Sequence, residues 1–292
     1  MLVTACAQAQ WFTQSSGTSQ PFTNIFFVDA NTGTAIGLSG TIRRTTNGGV
    51  NWITQTVPAD NLYGIYFLNS STGYISGDAV FYKTTNGGNT WVDPGGPVRL
   101  HRGIFFTDAN TGYTCSGVGA LDKTTNGGAA WTVLSSGTTQ NLNNIKFADA
   151  STGYVSGYNG TMLKTTDGGS SWFLLSTGIT DHLFALAVIN ADVVYAGGES
   201  GKLIKTTNGG TTWSNLTSGI TGRITNFSFL NANTGTGSAN GNFIIRTTNS
   251  GSTWVSQVSP LSGQDWNGVS FANINTGFIA GSAGNIIKTI NG

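Results

Sequence analysis

Charge is scarce in this chain. Asp, Glu, Lys and Arg together make up 9% of its 292 residues, against about 25% in an average soluble domain. That shortage excludes a coiled coil or helical bundle, which needs Glu, Lys and Arg in quantity beside Ala and Leu. The net charge of +1 supplies no broad field for DNA, RNA or an anionic membrane, so no nucleic-acid partner is expected. Cysteine is nearly absent, with Cys6 and Cys115 alone, and no structural disulfide is expected. Neither these two nor the two histidines, His101 and His182, have metal-ligand spacing, so no metal site and no cofactor are expected. No run approaches the ~18 apolar residues of a membrane span. Proline is rare at 5 residues, but glycine reaches 43, and the 8 Trp, 8 Tyr and 16 Phe are enough to build a core, which argues against disorder.

The chain opens MLVTACAQAQW. Ala7 and Ala9 fit an A-x-A cleavage site with a mature start near Gln10, although the apolar stretch is short and no basic residue precedes it. Residues 1–9 read as the remnant of a signal peptide, and 10–292 as one domain. Val3-Thr4-Ala5-Cys6 also fits a lipoprotein box, and an ordinary cytoplasmic N-terminus is the third reading. The abundance of Thr, Ser, Asn and Gly favours a secreted or cell-surface bacterial protein.

An internal repeat decides the fold. The octets TTNGGVNW, TTNGGNTW, TTNGGAAW, TTDGGSSW, TTNGGTTW and TTNSGSTW end at Trp52, Trp91, Trp131, Trp172, Trp213 and Trp254. Their spacings are 39, 40, 41, 41 and 41 residues. Counting back 41 from Trp52 reaches Trp11, and the chain ends in KTING, half way through a seventh octet. A period near 40 with four short alternating strands is one propeller blade. The expected fold is therefore all-β, a seven-bladed β-propeller. Its last blade is closed by the N-terminal QWFTQSS paired with the C-terminal GNIIKTING. In the second unit GIYFLN, TGYISG, AVFYKTT and WVDP read as the four strands, inner to outer. Asn-Gly and Asp-Gly favour tight turns with positive φ. The paired threonines can bond the turn backbone, and the octet tryptophans pack over the hairpins.

TT(N/D)GGxxW resembles the Asp-box, or BNR repeat. The longer unit NxTGYxxGxxGxxxKTTNGGxTW resembles the photosystem II stability/assembly factor-like propellers and secreted repeat proteins of the Bacteroidetes type. The resemblance spans residues 11–292. It implies the propeller and seven structural tryptophans. Asp-boxes also occur in sialidases, xyloglucanases and sortilin-type receptors, so it implies no single activity.

Residues common to the units are scaffold, and those that break the pattern are candidates for function. Arg44, Lys83, Lys123, Lys164, Lys205, Arg246 and Lys288 sit just before the Thr pair and read as a structural or solvated ring. Asp29, Asp108 and Asp149 read as turn-capping acids. The pattern-breaking residues fall on loops expected around one end of the channel. One group is Tyr63, His101 and Arg102, with Asp60, Asp78 and Arg99. The other is Asp181, His182, Phe184, Glu199, Lys202, Arg223, Asp265 and Trp266. Glu199 is the only Glu, and Trp266 the only Trp outside the repeat. A charged, aromatic face on a bland ring points to binding. The plainer reading is that long loops collect polar residues. Trp266 is either a stacking platform or a loop anchor packed inward.

Sialidase chemistry needs three arginines from separate blades, and after subtraction only Arg99, Arg102 and Arg223 remain, two of them on one loop. Another glycosidase would need a carboxylate pair about 5–10 Å apart, for which Glu199 with Asp181 or Asp265 are the candidates. Xyloglucanases place their cleft between two propellers, and this chain holds one. The expectation is a non-catalytic, monomeric binding propeller that recognises a glycan or extracellular protein. The alternatives are a glycoside hydrolase and a photosystem II assembly factor-like chaperone.

Overall fold

Residues 10–58, 60–96 and 99–292 are described by the structure, a computed structural model. The signal-peptide reading of residues 1–9 falls outside them. Seven antiparallel sheets follow one another around a ring. Their inner strands, blade 1 to blade 7, are Phe22–Phe27, Leu62–Phe67, Gly103–Phe106, Leu142–Phe147, Leu183–Val188, Ile224–Phe229 and Trp266–Phe271. Blade 7 takes its outer strand from the N-terminus, where Trp11–Gln14 pairs antiparallel with Ile286–Thr289. The seven-bladed ring with paired termini is thus as the repeat implies.

One expected strand is reduced. WVDP in blade 2 makes a single bridge, Lys83 to Val92, and that sheet has three strands. Pro94 has no N–H to give a ladder. The Asp93 carboxylate accepts from the Gly95 and Gly96 amides at 2.8 and 3.3 Å and curls the chain away.

The repeat residues have distinct tasks. The last inner-strand Phe lies on the Gly that opens the second strand, so a Cβ at Gly33 would stand 2.5 Å from the Phe27 ring. Blade 5 exchanges both partners together, with Val188 paired to Val194. The octet Trp meets that Phe edge-on in six blades, from Trp91–Phe67 at 5.8 Å to Trp131–Phe106 at 6.2 Å. Of each Thr pair only the first ties the turn. Thr45 Oγ1 donates to Asn47 Oδ1 and accepts from the Gly49 amide, whereas Thr46 is exposed. Gly49 has φ +85°, and a Cβ there would strike Gln14 at 2.7 Å. Asp29, Asp108 and Asp149 each accept two amides of the next turn. These bonds hold Asp108 and Asp149 below the usual carboxylate range.

The cationic ring is structural. Each side chain reaches the neighbouring blade and donates to a turn carbonyl. Arg44 reaches Gly87, Lys83 Gly127, Lys123 Gly168, Lys164 Gly209 and Lys205 Ser250, at 2.6–3.0 Å. Arg246 reaches Ile274 at 3.0 Å, and Lys288 closes the circle on Gly48 at 2.8 Å. The Lys288 bond crosses from blade 7 to blade 1.

The seventh octet is assembled from both termini. Asn47 accepts the amide of Asn51, the residue before Trp52, at 2.9 Å. Asn291 accepts the amide of Gln10, the residue before Trp11, at 2.8 Å. Deleting residues 1–16 should therefore expose a strand edge and remove the Trp11 side chain from the core. The expected loss is at least about 3 kcal/mol, the low end for truncating one buried Trp. Urea denaturation measures it, and an unchanged midpoint would refute closure through this strand.

Candidate functional site

The channel is lined by the inner strands, and a bulge governs what they present. In six blades the register slips after the first residue, as between Phe22 and Asn24. A bulge leaves the extra residue unpaired and re-aims its side chain. That second position is Thr23, Tyr63, Arg102, Asn143, Phe184, Thr225 and Asn267 around the ring, and all seven line one cavity of about 300 Å³ at the channel mouth.

Four of these residues clasp the next blade. Thr23 Oγ1 donates to the Leu62 carbonyl at 2.5 Å, Asn143 Nδ2 to Leu183 at 2.7 Å, Thr225 Oγ1 to Trp266 at 2.6 Å and Asn267 Nδ2 to Phe22 at 2.7 Å. The other three, Tyr63, Arg102 and Phe184, make no such bond and belong to the set picked from sequence. Arg223 joins them, with its guanidinium 4.6 Å from the Phe184 ring centre, a cation–π contact. The structure thus brings residues of both sequence groups into one cavity: Tyr63 and Arg102 from blades 2 and 3, Phe184 and Arg223 from blades 5 and 6.

The electrostatics of this mouth are one-sided. Two arginines line it and no acid does. Both Nε atoms are buried without a hydrogen-bond partner among the described residues. The other four arginines are held: Arg43 by the Ser16 and Gly17 carbonyls, Arg44 and Arg246 in the clasps, and Arg99 on Asp122 at 2.5 Å. Tyr63 Oη lies 3.4 Å from Asp78 Oδ2. Burial, and then the Asp78 charge, push its pKa up, so it meets a ligand as a neutral phenol.

The remaining sequence candidates go elsewhere. Trp266 is fully buried in the blade 7 core with Trp11, Val269 and Phe271, which corrects the stacking reading. It opens its inner strand at the inward position held elsewhere by Phe22, Leu62 and Leu142. His101 occupies the same position in blade 3, is 1% exposed, and contacts Asp122 at 3.2 Å, so it is not a ligand contact. Asp181 and Lys202 face each other at 3.6 Å on the upper rim. Glu199 opens the short 3-10 turn beside them. Asp265 accepts the Gly241 amide at 3.0 Å. His182 stacks on Tyr158 at 4.0 Å, and its Nδ1 accepts the Asn159 amide.

Sequence subtraction missed the polar channel wall: Asn24, Asn144, Asn226, Lys146 and the four clasping residues. It also missed Tyr158, which with His182 and Phe184 makes an aromatic shelf. The available signal was Asn or Lys inside an otherwise apolar strand, as in NNIKF.

The burial of Trp266 sets an expected result. Trp266→Ala should cost about 3–5 kcal/mol of stability, read from denaturant midpoints. A change below 1 kcal/mol would restore Trp266 as a surface residue.

With this geometry in view, the chain can be set beside known proteins. The sequence profile of the photosynthesis system II assembly factor YCF48 matches residues 3–139 and 126–267. No curated protein matches significantly. Among solved structures, YCF48 bound to a D1 peptide superposes with a TM-score of 0.80 at 17% identity, covering 97% of each chain. YCF48 from Cyanidioschyzon merolae gives 0.77 at 18%, covering 96% of this chain and 98% of that one. The GH74 enzyme of Niastella koreensis gives 0.76 at 18%, covering 95% of this chain and 53% of that one. At such identities the structural likeness is one of fold, but the profile spans most of the sequence, and the chain belongs to the photosynthesis system II assembly factor YCF48 family of BNR-repeat propellers.

Proposed function

We propose that this protein is a non-catalytic binding propeller whose channel mouth takes an acidic peptide segment of a partner protein. The observation that carries the reading is the pair Arg102 and Arg223, which line one cavity without a carboxylate among its walls. Guanidinium groups favour planar, bidentate carboxylate recognition. Phe184 and Tyr63 add aromatic ring area beside them. The YCF48 neighbour solved with a D1 peptide supports a peptide over a glycan, as does the loss of Trp266 as a sugar platform. The aromatic shelf of Tyr158, His182 and Phe184 is the feature a glycan would use. With the A-x-A motif at Ala7 and Ala9, the same proposal places the protein outside the cytoplasm, either secreted or at the cell surface.

The test is a selection from acidic peptide libraries, with a glycan array run in parallel. A selected peptide should bind less tightly as salt rises. Arg102→Gln or Arg223→Gln should each weaken it about 10–100-fold, for a loss of ~1.5–3 kcal/mol per charge-assisted bond. Equal affinity in both variants, or glycan binding with no peptide binding, would overturn the reading.

A further inference from the structure

Below the mouth the channel continues into a second cavity of about 220 Å³. Its wall carries two cations, Arg102 and Lys146, and no Asp or Glu. Lys146 is the fifth residue of the blade 4 inner strand, where the other blades have Phe26, Tyr66, Phe105, Ala187, Ser228 and Ser270. Its ammonium sits 5.6 Å from the Phe105 ring centre, and no hydrogen bond or ion pair among the described residues engages it. Every other lysine does engage a protein acceptor: Lys202 faces Asp181, and the remaining five reach turn carbonyls.

The small residues of the far wall are arranged as donors. Ser228 Oγ accepts the Phe271 amide at 3.0 Å, and Ser270 Oγ accepts the Phe27 amide at 2.9 Å. Each hydroxyl, already accepting, keeps its own proton to donate. Two fixed positive charges and two oriented hydroxyls around one polar cavity form a constellation complementary to a small oxyanion.

We propose that the channel holds a small oxyanion, a phosphate or a simple carboxylate, against Lys146, with Arg102 above it and Ser228 and Ser270 opposite. Burial lowers the Lys146 pKa to about 8, which leaves it charged at neutral pH, and a bound anion would favour that charged form further. This site lies deeper than the peptide cavity and does not depend on peptide binding.

Calorimetric titration of the whole chain at pH 7 and constant ionic strength, with inorganic phosphate and separately with sodium acetate, tests it. The wild type should bind at least one of them at one site per chain. Phosphate alone would identify a tetrahedral oxyanion, and acetate alone a carboxylate. Lys146→Met should weaken binding at least tenfold, and Lys146→Arg should retain it. Lys146→Met should also melt no lower than the wild type in anion-free buffer, since it removes a desolvated charge. Arg223→Gln, which should damage peptide binding, should leave anion binding unchanged, so the two proposals can fail separately. No heat from either anion with the wild type, or equal binding by Lys146→Met, would overturn the site.

Discussion

The structure depends on one contact made seven times: a cation on the third strand of a blade donating to a turn carbonyl of the next blade. A closed ring of sheets has no covalent bond between its first and last blades, so each interface must be specified and the last must match the rest. Lys288 on Gly48 has the same chemistry as Lys123 on Gly168, and that equivalence makes closure possible. The aromatic second-strand side chains reinforce it. Lys83, Lys123, Lys164 and Lys205 each lie over the Tyr of their own blade, 5.1–5.5 Å from the ring centre. Half-buried cations held against rings and carbonyls are worth more than the same charges in open water. With so few cations in the chain, these clasps leave few for the surface.

That economy also makes the leftover charges informative. Of 13 Lys and Arg residues, seven form the clasps, and Arg43, Arg99 and Lys202 are held by carbonyls or acids. The three that remain, Arg102, Arg223 and Lys146, all line the channel. The same trade appears among neutral residues at the mouth. Where Thr23, Asn143, Thr225 and Asn267 tie blades together, the channel wall is scaffold. Where Tyr63, Arg102 and Phe184 replace them, three interfaces give up a hydrogen bond and expose chemistry instead. The proposed binding site thus occupies positions from which stability has been withdrawn.

The ring was legible because the octet repeats with little drift and its residues have local tasks: a Thr–Asn turn, a glycine with positive φ, a Trp on a Phe. The site was half legible. Arg102, Arg223, Tyr63 and Phe184 stood out as departures from the repeat. Trp266 and His101 also departed from it, but in the direction of the core, and the apolar residues at the equivalent positions already marked that register. The channel wall was hidden for a different reason. A two-residue alternation places the second and third inner-strand residues on opposite faces, and the bulge brings both to the channel. Nothing in the sequence of Thr23-Asn24 or Asn143-Asn144 announces that bulge.

The octet divided between the two ends of the chain has a consequence for biosynthesis. Gln10 and the Asn291 side chain that holds it lie 281 positions apart. The first strand to leave the ribosome is thus the last to find its place, and Trp11 stays unshielded while six blades assemble behind it. Each of those blades can form from a contiguous stretch of new chain, but the seventh waits for Ile286–Thr289 and Asn291. Arrival of the Ile286–Thr289 strand beside Trp11–Gln14, rather than collapse of any one blade, is the event that shuts the ring.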